Sequence, residues 1–106
     1  MKSSKMEKRW LSYMKVPKKY RQKRIKINNK IYIVDGYNPK TNTIYEFLGD
    51  YWHGNIAVYN ENDYNFNKKK TFGSLYKETM RRIKNIQKAG YKLIIMWEND
   101  WKNNGC

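Results

Sequence analysis

Thiols, histidines and acids are all scarce in this chain of 106 residues, and each shortage narrows what it does. The only cysteine is Cys106, which excludes an internal disulfide framework and a zinc centre built on several cysteines. A single thiol predicts a reducing setting. Long apolar runs are missing too: the longest, residues 93–97, falls far short of the ~20 residues that span a bilayer. No apolar targeting region stands at the start, so the chain is expected to be soluble, intracellular and cytoplasmic, with no membrane partner. At 13.0 kDa, with neither repeat nor linker, it is expected to form one domain over residues 1–106.

What the chain has in abundance is positive charge and aromatic surface. Lys and Arg number 23 against 9 Asp and Glu, for a formal net charge of +14. Residues 1–30 hold nine Lys and three Arg against Glu7 alone. With 40% hydrophobic and 16% aromatic residues, this is a folding sequence and no disordered basic tail. One reading of the charge is a solvated face produced by compositional bias. The other is a nucleic-acid footprint, supported by Tyr13, Tyr20, Arg21, Arg24 and Lys26, which interleave phosphate-binding cations with rings that stack.

Along the chain, Ser3 or Ser4 caps a helix over about residues 4–15, on which Met6, Trp10 and Met14 recur at helical spacing before Pro17. Residues 23–27 and 30–35 read as strands joined by a tight Asn28-Asn29 turn. A second hairpin turns at residues 39–42 into a strand over residues 43–48. Residues 49–73 show no regular period and are expected to form a long functional loop, a lid. From Ser74 to Ala89, Leu75, Tyr76, Met80, Ile83 and Ile86 share a helical face opposite Lys77, Arg81, Lys84 and Lys88, and Gly90 stops the helix. The final strand, residues 92–97, is apolar on both faces and suits an inner position. The predicted class is α/β in the order αβββαβ: helices over a small mixed sheet, with a parallel pair formed by a right-handed crossover.

A symmetric turn at 39–42 pairs residues whose numbers sum to 81, which sets Asp35 opposite Glu46 on one face, Cβ atoms ~5 Å apart. By alternation Ile31, Ile33, Ile44 and Leu48 share that face. Two carboxylates in an apolar setting repel and lose hydration, so something cationic is expected between them. A Lys or Arg bridge meets that need, as does a hard divalent ion, Mg²⁺ or Mn²⁺, with open positions for a phosphate, and a register differing by one would leave the acids in solvent instead. Seven residues past Glu46, His53 follows in a Gly-flanked segment, either structural or handling protons.

The motifs Val34-Asp35-Gly36-Tyr37, Glu46-Phe47-Leu48-Gly49-Asp50-Tyr51-Trp52-His53-Gly54 and Gly90-Tyr91 leading into Ile95-Met96-Trp97-Glu98 resemble the Vsr-like (very-short-patch-repair-like) branch of the PD-(D/E)XK nucleases, of phage or viral type. The likeness covers roughly residues 7–101. It implies a restriction-endonuclease-like core and a Mg²⁺-dependent endodeoxyribonuclease, with Mn²⁺ as substitute and DNA, double-stranded or structured, as partner. Asp35 and Glu46 would hold the metal, joined by the backbone carbonyl of Phe47. His53 would act as general acid or base, Glu7 as an accessory acid, and Lys77 and Arg81 would lie near the site. Trp52 would wedge into a base stack or serve packing. Glu98 receives no role. Where the superfamily carries Lys, or the mismatch-repair enzymes His, this chain has Leu48, which leaves more of the proton handling to His53 or a metal-bound water. Leu48 equally suits a catalytically weak or inactive nucleic-acid-binding module, and a basic accessory protein acting through a protein partner is a third reading. Nicking is expected of a monomer and double-strand cutting of a homodimer.

Overall fold

The computed structural model describes residues 4–104, so Ser3 as a cap and Cys106 lie outside the described residues. The chain forms two compact units, each drawn from two stretches: the residues up to Phe47 with Asn85–Ile95, and Leu48–Lys84 with the residues from Met96 on. The fold is mixed α/β, with a four-stranded mixed sheet. No described helix is long and apolar enough to cross a membrane.

The first unit starts with helix α1, Lys5–Tyr13. Ser4 is its N-cap: the Oγ accepts the Glu7 N–H at 3.0 Å, satisfying one of the four amides that a first turn leaves without partners. Trp10 and Leu11 are fully buried. The helix ends where Lys15 turns left-handed, φ 60, and the Val16 N–H folds back onto the Leu11 carbonyl. Strands β1 (Arg21–Ile27) and β2 (Lys30–Asn38) then form the first hairpin. Its two-residue turn needs positive φ twice, and Asn28 (φ 49) and Asn29 (φ 65), short amides that tolerate the left-handed region, supply both. Strand β3, Thr43–Leu48, pairs antiparallel with β2 through Gly36↔Tyr45, Tyr37↔Ile44 and Asn38↔Thr43, all summing to 81 as the turn symmetry required.

The sheet runs β1-β2-β3-β6, with β6 spanning Lys92–Trp97. Since the first two pairings are antiparallel, the mixed character rests on β3 and β6, the parallel pair expected of the crossover. β6 is an edge strand and not the inner one its apolar faces suggested. Apolar residues on both faces report what covers the faces; whether another strand pairs with the edge is a backbone matter on which side chains are silent.

Two layers cover the first unit's sheet. Ile25, Ile27, Tyr32, Val34 and Ile44 form a buried cluster with Ile86 from the end of helix α3, joined by Tyr37, Tyr91 and Leu93. On the other side of β3, Trp10 of α1 packs edge-on to Tyr45 and beside Phe47, ring centroids 6.2 and 6.0 Å away. Gly36 also faces α1, where a Cβ would come within 3.3 Å of both Val16 and Leu11. Val34 and Gly36 therefore face opposite layers, although a regular strand sets i and i+2 on one face. β2 reverses its alternation at Asp35, and Gln22, which falls opposite it between the pairs Arg21↔Gly36 and Lys23↔Val34, has φ 53. The expected neighbours of the acids change with it. Ile44 and Leu48 are buried, but Ile31 and Ile33 are 50% and 54% exposed.

In the second unit, residues 49–73 are no structureless lid. They hold helix α2 (Asp50–His53), a run of turns and a ribbon of β4 (Tyr64–Asn65) and β5 (Lys70–Thr71). Tyr59 stacks on Phe72 at 4.2 Å and Tyr51 meets Phe72 edge-on, so the segment carries an aromatic core of its own. Its pieces are too short for any hydrophobic period to report them. Helix α3, Phe72–Lys88, follows, and Gly90, φ 97, ends it as expected. Helix α4, Glu98–Asn103, closes the described chain.

Candidate functional site

The first unit brings three of the expected acids to one region of the sheet. One step beyond Gly36↔Tyr45, the strands exchange side chains in place of main-chain bonds. The Phe47 N–H donates to Asp35 Oδ2 at 2.7 Å, and the Asp35 N–H donates to Glu46 Oε2 at 3.3 Å. Asp35 is half-buried and Glu46 is 6% exposed. Cross-strand amides thus supply solvation that was expected from a cation alone: an N–H given to a buried carboxylate offsets part of its lost hydration. Glu7 joins from α1, its Oε2 accepting from Gln22 Nε2 at 2.8 Å, and Gln22 is the residue opposite Asp35. The reversal at Asp35 and the left-handed Gln22 position this group, and neither is visible in a pattern of alternating residues. At Phe47 the contact to the acids is made by the amide.

Of the expected phosphate-binding cations in this unit, Arg21 has a structural part as well. Its Nε donates to the Val16 carbonyl at 2.9 Å and its Nη2 to Ser12 Oγ at 3.2 Å, tying the end of α1 to the start of β1. A guanidinium so placed satisfies a carbonyl of the turn that follows α1. Arg24 is exposed.

The second unit holds His53, Trp52, Lys77 and Arg81. His53 ends α2 and is partly buried. Thr79 Oγ1 lies 3.3 Å from its Nδ1 and 3.2 Å from its carbonyl oxygen. A hydroxyl has one proton; with it on the carbonyl, Nδ1 donates to Thr79 and Nε2 keeps the lone pair. Burial, then the positive charges of Arg82 and Lys68, lower the imidazole pKa to about 4. At neutral pH the ring is therefore uncharged, with a lone pair on Nε2. Of the two expected roles, acid or base, the free protein presents the base. Trp52 is 51% exposed, edge-on to Tyr51, and Lys77 and Arg81 lie exposed one turn apart on α3.

Several residues escaped the sequence reading. Asp50, 7% exposed, accepts from Asn55 Nδ2 at 2.8 Å and from the Asn99 N–H at 3.3 Å, while its own N–H donates to Glu98 Oε1 at 3.0 Å. Glu98 thereby gains a role: it holds the start of α2 and pairs with Lys102 at 3.5 Å. Nothing local in the sequence marks this network. Thr79 did leave a signal, a hydroxyl four residues past Leu75 within an otherwise apolar stripe.

Among the described residues, no three His, Cys, Asp or Glu side chains could hold a metal ion together. No family model, curated protein or solved structure matches the chain.

Proposed function

We propose that this protein is a metal-dependent DNA endonuclease, of nicking type, with a restriction-endonuclease-like core akin to the Vsr-like branch. The observation that carries the reading is the Asp35 and Glu46 exchange at the end of the β2–β3 ladder, in a chain of net charge +14. The donors are hard carboxylate oxygens, which suit Mg²⁺ or Mn²⁺. Mg²⁺ in particular is commonly held by one or two carboxylates, with water and substrate phosphate completing its shell. Asp35 and Glu46 would hold the ion, with the Phe47 carbonyl as a further donor. Once bound, it would supply Lewis-acid polarisation of the phosphodiester and a more acidic water.

The chain's own groups do the rest. His53, uncharged and held at Nδ1 by Thr79, would be the proton-transfer group that the resemblance implies. Exposed Arg24, Lys77 and Arg81 draw in the phosphate backbone. Glu7 acts through Gln22 on the strand facing Asp35. Leu48, 2% exposed where the superfamily has a basic residue, favours a second reading: a nucleic-acid-binding module with weak chemistry or none.

The test is plasmid nicking with Mg²⁺, Mn²⁺ or EDTA by wild type, Asp35→Asn and Glu46→Gln, amides that keep an oxygen for the facing N–H. Wild type should nick with either metal and neither variant should. Nicking by the variants at the wild-type rate removes the site, and wild type that binds DNA without nicking it establishes the second reading.

A further inference from the structure

The outer face of the first hairpin has no place in the chemistry above. The β2–β3 ladder covers Gly36, Tyr37 and Asn38, and the side-chain exchange beyond it ends at Asp35, so residues 23–34 form a two-stranded ribbon. Its inner face, Ile25, Ile27, Tyr32 and Val34, is buried against Ile44 and Ile86. Its outer face pairs Arg24 with Ile33 and Lys26 with Ile31. Both cations are exposed, and the isoleucines are 54% and 50% exposed. Two β-branched aliphatics held open to water and flanked by cations, on a ribbon whose other face is locked into a core, form a rigid surface of mixed character.

We infer that this ribbon lies in the major groove of duplex DNA, with Ile31 and Ile33 against thymine methyl groups and Arg24 and Lys26 on the neighbouring phosphates or guanine edges. The inference rests on the DNA reading above and extends it to the form of the substrate. A B-form major groove, about 12 Å wide, admits a two-stranded ribbon. Side chains on one face repeat at ~6.8 Å, which is two base steps of ~3.4 Å, so Ile31 and Ile33 meet bases two steps apart in register. Thymine is the one base that offers a methyl group in that groove. A second copy of the chain would bring another net charge of +14 against this face, which like-charge repulsion opposes. An A-form RNA duplex has a major groove too narrow for a ribbon.

Binding is measured by fluorescence anisotropy in EDTA, where no cleavage intervenes, on an AT-rich duplex, the same duplex with every thymine replaced by uracil, and the equivalent RNA duplex. Wild type should lose about fourfold affinity per methyl contact on going from thymine to uracil. Ile31→Ser with Ile33→Ser, which removes both apolar contacts at exposed positions, should bind the thymine duplex as weakly as wild type binds the uracil duplex, with no further loss on uracil. Arg24→Gln with Lys26→Gln should weaken both DNA duplexes and flatten the salt dependence. Wild type that binds no DNA overturns both this inference and the nuclease reading. DNA binding that ignores the thymine methyl overturns the ribbon alone, as does an equal loss on both duplexes in the isoleucine variant, or tighter binding to RNA than to DNA.

Discussion

His53 is the chain's single histidine, so its titration is read without ambiguity. Burial and the charges of Arg82 and Lys68 set its folded pKa at about 4, against 6.5 for an unhindered imidazole. Between those two values the unfolded chain binds a proton that the folded chain refuses. Stability from this group is therefore fully present above pH 6.5 and declines as pH falls toward 4. At 1.36 kcal/mol per pH unit the loss reaches about 3 kcal/mol, a large share of a small domain's stability. Urea unfolding from pH 7.5 to 4 should show this decline in wild type. His53→Gln should lack this component. The imidazole ¹H–¹³C NMR signal should titrate near pH 4, and Lys68→Gln should move the midpoint upward. A midpoint at 6.5 or above refutes the reasoning.

Gly54→Ala should destabilise by at least ~3 kcal/mol, because φ is 69 there and a Cβ would sit 2.2 Å from the Phe72 carbonyl oxygen, a backbone atom that cannot swing away. Near-wild-type stability in denaturant would show that α2 and α3 have room to part. Arg21→Ala should cost ~1–3 kcal/mol by releasing the Val16 carbonyl and Ser12, with little change in DNA affinity. Arg24→Ala should do the reverse; thermal melts beside anisotropy titrations check both, and a DNA defect in Arg21→Ala with unchanged melting would return Arg21 to the binding surface.

Much of the fold was legible because short-range geometry sets it. Ser4 caps from three residues away, Asn28 and Asn29 provide the positive φ of a two-residue turn, and the 39–42 turn sets the sum of 81 along β2 and β3. That sum placed Asp35 against Glu46 before any tertiary contact was known. The same arithmetic misjudged their surroundings, because it assumes strict alternation and β2 reverses at Asp35.

Tertiary structure decided everything that depends on residues remote in sequence. The environment of His53 comes from Thr79, 26 residues on, and that of Asp50 from Glu98, 48 residues on. Arg21 reads as a free cation until the end of α1 comes within reach of it. The apolar run 92–97 declares a strand but not its place at the sheet edge. Periodicity and turn chemistry report how each segment meets its own neighbours along the chain. Burial, charge environment and sheet order arise only when distant segments exclude water together, so the sequence alone named the acids and the histidine, and packing set the state in which they are held.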